Sequence, residues 1–200
     1  MTNDLASEAA ELRRRNRELA VLNAIAQALS ASVALDDVLR VTLAQVADFF
    51  GLRTGWVWLL HPATGAPYLA AAQHLPPGLA RNPARMEGWC YCLETYADGD
   101  LAGAANVNII TCSRLKPLLG EAGGLRYHAS IPLYAEGGKK IGMLNVASPD
   151  WRELSPGDLR LLQTIGGLLS IAVERARLFA ASNQMGAVEE RNRLAREIHD

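Results

Sequence analysis

Residues 131–149, IPLYAEGGKKIGMLNVASP, hold two apolar runs parted by the turn cluster Glu136-Gly-Gly138. Extended to Leu125–Ala135 and Lys139–Ala147, these runs predict an antiparallel hairpin. The pattern repeats upstream. GWVWLLH at 55–61 and YLAAAQHL at 68–75 flank Pro62-Ala-Thr-Gly65 and predict a second hairpin. ANVNIITC at 105–112 predicts one further short strand, with Cys112 at its end. The intervening Pro76–Gly124 is rich in Gly, Pro and Ala, and a connection of that length is expected to be functional or mobile.

Outside the strands the period changes from two to about 3.6. Residues 1–30 contain no Gly or Pro and space Leu5, Leu12, Leu19, Leu22, Ile25 and Leu29 by mostly three, four or seven, which predicts one long amphipathic helix. A second helix is expected from Leu35 to Phe50, opened by Asp36 and Asp37 and closed by Gly51, with Val38, Val41, Val46, Phe49 and Phe50 on its buried side. Ser155-Pro-Gly-Asp158 then reads as an N-cap, a proline at the first helical position and a capping carboxylate. No proline follows to residue 200. Leu162, Ile165, Leu169, Ala172, Ala176 and Phe179 follow coiled-coil a/d spacing, whose phase slips near Asn183 and resumes at Met185. A helix that long needs a partner for its far end, most simply a second copy in a parallel dimer. The fold class is therefore α+β: an antiparallel sheet flanked by long N- and C-terminal helices.

Composition narrows the function classes. Half of the 200 residues are hydrophobic, enough for a sizeable core. Twenty Lys and Arg against 21 Asp and Glu give a net charge of −1, so no nucleic-acid partner and no anionic membrane surface is expected. No apolar run reaches the roughly 18–20 residues of a membrane span, and the N-terminus lacks signal-peptide order, so a cytoplasmic location is expected. Three cysteines are an odd count for a disulfide framework. Cys90, Cys92 and Cys112 therefore read as free thiols or ligands.

Residues 189–200, EERNRLAREIHD, resemble the phosphoacceptor helix of two-component sensor histidine kinases, in the class that pairs with NarL/LuxR-type response regulators. The pattern E-R-x-R-[IL]-A-R-E-[IL]-H-D is filled from Glu190 to Asp200. The resemblance makes His199 the phosphoacceptor, a ring nitrogen being nucleophilic when unprotonated, and Asp200 the acid that orients it. Arg191, Arg193 and Arg196 stand where they could pair with phosphate. No ATP-binding segment appears in the 200 residues, so the expectation is the sensory part of a kinase, with the ATP-binding domain as a partner. Upstream, the element order, Ile131-Pro132-Leu133, Gly142-Met143-Leu144 and the closing 155–179 stretch resemble a GAF domain. The expected division is an N-terminal signalling helix at 1–17, a GAF-like sensor at 18–180, and a coiled-coil linker with the start of the phosphoacceptor helix at 181–200.

The sensing chemistry is expected in GWCYCLETYADGDLAGAANVNIITCSRL, 88–115. In a helix, side chains at 90 and 92 would point to nearly opposite faces, so the two thiols converge only in a turn or extended stretch. Thiolates at C-x-C…C spacing suit an iron–sulfur cluster, as in some GAF sensor kinases that this sequence resembles, and the implied role is oxygen or redox sensing. A fourth ligand would be His128, His74, an acidic side chain or a small molecule. Zinc on three cysteines and one histidine is the alternative metal. A bilin, another small ligand, and the thiol enzymology of free methionine sulfoxide reductases, which share the GAF fold, are the other readings. Three buried cysteines without a ligand are the bland one. Trp56 and Trp58, on one strand face, are expected beneath a helix; Trp89 could shield a cluster; His61 is expected at the surface; His128 is either a satisfied core histidine or a ligand.

Overall fold

A computed structural model describes residues 2–118, 120, 125–148 and 153–199, with the backbone alone at 2–4, 148, 190 and 192–199. Helix α1 spans Thr2–Ala31 and α2 Leu35–Phe50, followed by strands β1 Thr54–Leu60 and β2 Pro67–Gln73. Short helices α3 Pro77–Ala80 and α4 Tyr91–Asp98 precede β3 Ala105–Asn108, β4 Tyr127–Tyr134 and β5 Lys140–Ser148, and α5 runs Pro156–His199. The five strands form one antiparallel sheet in the order β2-β1-β5-β4-β3. Both expected hairpins are present.

Strand alternation sorts the core into two layers. Val57, Leu59, Ala129, Ile131, Leu133, Leu144 and Val146 face α1, α2 and α5, where they meet Ile25, Leu39, Val46, Ile165 and Leu169. Trp56, Trp58, Met143 and Ala147 face the other way, onto Leu79, Met86, Leu93, Tyr96 and all three cysteines. The two tryptophans thus do lie beneath a helix, α4. Gly51 closes α2 at φ 70, as its position predicts. Ser155 and Asp158 form the expected cap of α5: the Asp158 N–H donates to Ser155 Oγ at 3.1 Å, and the Ser155 N–H donates to Asp158 Oδ2 at 3.3 Å.

Four expectations need correction. The strand from Ala105 stops at Asn108 rather than Cys112, because the Asn108 side chain accepts the Ile110 N–H at 3.0 Å and turns the chain. Residues 76–118 are not irregular: they contain α3, α4 and β3, and they bury the cysteines. The a/d row from Leu162 to Ala176 packs on the molecule's own sheet and core rather than on a partner helix. In α1 the apolar face is buried only toward its C-terminal end, at Ile25 and Leu29, while Leu5, Leu12 and Leu19 are exposed. Helix α5 passes Asn183 without a break.

Candidate metal centre

Three chain segments deliver the site's side chains. Alternation along β4 puts His128 and Ser130 on the face away from α5, and β5 sets Asn145 opposite Ser130. The Asn108 turn, in which the Thr111 and Cys112 N–H groups donate to Asn108 O, carries Cys112 back under the sheet. Helix α4 supplies the other thiols. Cys90 is its extended N-cap residue, at φ −146 and ψ 167, and Cys92 is in its first turn. The helical objection to a Cys-x-Cys pair is avoided because Cys90 lies just outside the helix.

Arg114 fixes these segments to one another. Its guanidinium donates to the carbonyls of Arg85, Glu87 and Gly88, and it lies 4.7 Å from the centroid of the Trp58 ring. Gly88 takes φ +69, the left-handed turn that a glycine tolerates. The Tyr91 N–H donates to Ser113 Oγ at 2.9 Å. Tyr96 anchors the other end of α4: its hydroxyl donates to Leu133 O at 2.6 Å and accepts from the N–H groups of Ile141 and Gly142. Burial pushes that hydroxyl up to about 12.

The result is a close group of soft donors. The ligand atoms of Cys92, Cys112 and His128 all lie within 4.8 Å of one another, and all three residues are buried. Cys92 Sγ is 3.7 Å from His128 Nε2. Cys112 is drawn down to about 4, chiefly by the Cys92 thiol, against the opposing effect of burial. Cys90 falls to about 6, again chiefly through Cys92, helped by the Leu93 N–H and the Arg114 charge. Cys92 is pushed far above the ordinary thiol range by Cys112, then Cys90, then burial. Cys90 also lines a surface cleft of about 310 Å³ with Arg85, Trp89, Ser113 and Arg114.

Of the sequence candidates, Cys92, Cys112 and His128 come together, and Cys90 is buried in the same cluster as the other two thiols. His61 is exposed, and so is His74, whose carbonyl accepts from Thr54 beside β2. Trp89 is 47% exposed and shields little. The His199 side chain and Asp200 lie outside the described residues, although the His199 backbone continues α5. Ser130, Asn145, Ser113 and Arg114 were not picked out from sequence. The visible signal for the first was two polar side chains, His128 and Ser130, one strand period apart in an otherwise apolar run.

Both a curated sequence and several solved structures are similar to this chain. The sensor histidine kinase YhcY of Bacillus subtilis (strain 168) is 32% identical over 192 residues, covering 93% of this chain and 50% of the relative. The chain therefore spans about half the length of that curated relative. Among solved structures, the GAF domain of a phosphoenolpyruvate-protein phosphotransferase from Coxiella burnetii aligns with a TM-score of 0.64 at 17% identity, covering 82% of this chain and 97% of that one. The phycoerythrobilin-bound GAF domain of a cyanobacterial phytochrome gives 0.60 at 17%, covering 82% and 97%. Free methionine-R-sulfoxide reductase from Neisseria meningitidis gives 0.58 at 18%, covering 79% and 89%. At such identities these structures speak for the fold alone. The GAF domain model matches residues 32–174, which is most of the chain and the whole of the sheet, and the protein belongs to the GAF domain family.

Proposed function

We propose that this chain is the sensory region of a two-component histidine kinase, and that its signal enters at Cys92, Cys112 and His128. The observation that carries the reading is the meeting of those three donors within 4.8 Å, on the sheet face opposite the terminal helices. Kinship with a sensor histidine kinase and the phosphoacceptor-like sequence at 189–200 supply the context. In this reading His199 receives the phosphoryl group, Asp200 orients it, and an ATP-binding kinase domain and a NarL/LuxR-type regulator are the partners. The sensor would occupy 18–180 between signalling segments at 1–17 and 181–200, and the chain would act as a homodimer. Among the described residues no helix is long and apolar enough to cross a membrane.

The donor set fits one metal ion better than a [4Fe–4S] cluster. Bond lengths of about 2.0–2.3 Å to a tetrahedral ion place neighbouring ligand atoms about 3.3–3.8 Å apart. Cys92 Sγ and His128 Nε2, 3.7 Å apart, already have that spacing, and all three ligand atoms lie within 4.8 Å of one another. A [4Fe–4S] cluster gives each terminal thiolate its own iron and so calls for sulfurs spread more widely than these, whereas a [2Fe–2S] cluster sets two terminal ligands on each iron. Cys92, Cys112 and His128 would hold the ion, and Cys90, at the N-cap of α4, is the candidate fourth ligand. A bound ion supplies a cross-link among α4, the turn after β3, and β4. Because the ligands are thiols, their oxidation would release it, which keeps the redox character of the expected sensor.

The route to the output helix is short. Strand β4 carries His128 on one face and Ile131 and Leu133 on the other, where they pack against α5. At Gly166 the helix comes so near that an added Cβ would stand 2.7 Å from Ile131 Cγ2. A change in tension on β4 therefore reaches α5 through direct contact.

Anaerobic purification with metal and acid-labile sulfide assays tests the reading. One zinc or iron per chain without sulfide is expected, lost in Cys112→Ser. Iron with equimolar sulfide would restore the cluster, and a chain that holds no metal would remove the centre.

A further inference from the structure

We propose that Ser130 and Asn145 form a relay that keeps a proton on His128 Nδ1 and so presents Nε2 to the Cys92–Cys112 pair. The proposal deepens the metal-centre reading and rests on it for its affinity arm.

The direction of the hydrogen bonds follows from counting protons. Ser130 Oγ lies 2.9 Å from Asn145 Oδ1, and an amide oxygen only accepts, so the serine proton is committed there. Ser130 Oγ also lies 3.4 Å from His128 Nδ1. With the serine proton committed, this second contact is a hydrogen bond only if Nδ1 carries the proton. Nε2, 3.7 Å from Cys92 Sγ, is then the nitrogen left to face an ion. The Trp56 ring, with its centroid 5.8 Å from that of the imidazole, packs beside it.

All three members are at most 2% exposed, so bulk water does not compete for these bonds. The arrangement also leaves Asn145 Nδ2 buried with no partner among the described residues. The opposite amide orientation reverses the chain: Nδ2 would donate to Ser130, Ser130 to Nδ1, and the imidazole proton would move to Nε2, between the ring and any ion. The relay therefore fixes whether His128 is a ligand at all.

The first test reads the proton directly. Long-range proton–nitrogen correlation spectra of the ¹⁵N-histidine-labelled 200-residue chain should show a protonated His128 Nδ1, in metal-free protein and after zinc is added. The second test is zinc affinity by chelator competition. Ser130→Ala should bind zinc about 10–100-fold more weakly, and Ser130→Thr, which keeps the hydroxyl, should restore it at unchanged thermal midpoint. A bare Nδ1 in the wild-type chain overturns the relay, as does full zinc affinity in Ser130→Ala. If the wild-type chain takes no zinc, the metal reading fails by itself, and the Nδ1 proton of the metal-free protein still decides the relay.

Discussion

Cys90 combines two properties that neither Cys92 nor Cys112 has together: it lines the surface cleft with Arg114, and its ionised form is favoured at neutral pH. Thiolate is the nucleophilic form, so reactivity follows ionisation. In chelator-treated protein, alkylation of Cys90 by iodoacetamide should rise through a midpoint of about 6, against roughly 8.5 for an ordinary cysteine. The chief cause is the Cys92 thiol, so Cys92→Ala should move the midpoint upward. An unmoved midpoint would assign the depression to Arg114 and Leu93. The sequence could name the three cysteines and His128, because soft ligand types are rare and conspicuous. It could not order them, since proximity of Cys92 to His128, 36 positions apart, is set by strand register and by the Arg114 and Ser113 bonds. Ser130 and Asn145 stayed invisible for the same reason: a serine and an asparagine acquire a role only once the sheet pairs them.

The elements separate into those whose local signals agree and one whose signals conflict. Hairpins announced by Pro62–Gly65 and Glu136–Gly138, and the capped start of α5, stand close to where their turn chemistry puts them. Helix α4 was missed because its cap residue is a cysteine and only Cys92, Leu93 and Tyr96 mark its buried side, within a segment otherwise full of breakers. Its stability comes from tertiary bonds at Tyr96. Tyr96→Phe should therefore cost about 1–3 kcal/mol in denaturant titration, by leaving buried partners unpaired. A cost below about 0.5 kcal/mol would mean that packing alone holds α4. The paired glycines of α5 give a sharper contrast. A Cβ at Gly167 meets nothing within 4 Å, so Gly167→Ala should stabilise by about 0.5–1 kcal/mol through helix propensity. At Gly166 the same change meets Ile131 at 2.7 Å and should lose that gain or reverse it. Equal midpoints for the two variants would show that α5 does not press on β4, and would remove the contact proposed to carry the signal.

At the scale of the molecule, the terminal helices are longer than the domain they serve. Helix α5 has 44 residues, about 66 Å at 1.5 Å per residue, and every described side chain from Leu178 onward is exposed. Two apolar rows stand unburied, each at a strict seven-residue spacing: Leu5, Leu12 and Leu19 on α1, and Ile171, Leu178 and Met185 on α5, at 56–72% exposure. Such spacing is the seam of a coiled coil. The a/d row Leu162 to Ala176 is used up on the molecule's own core, so the proposed dimer would use the adjacent row and the far end of α5. In the proposed dimer the two rows of one helix would divide the work, one packing on the sheet and the other holding the partner. Leu178→Glu with Met185→Glu places like charges in that seam and should convert the chain from dimer to monomer in sedimentation equilibrium. Thermal midpoint and metal content should be unchanged, because neither residue touches the core or the thiols. A double variant that still sediments as a dimer would place the interface elsewhere, and the exposed heptads would then be only the solvent face of a long helix.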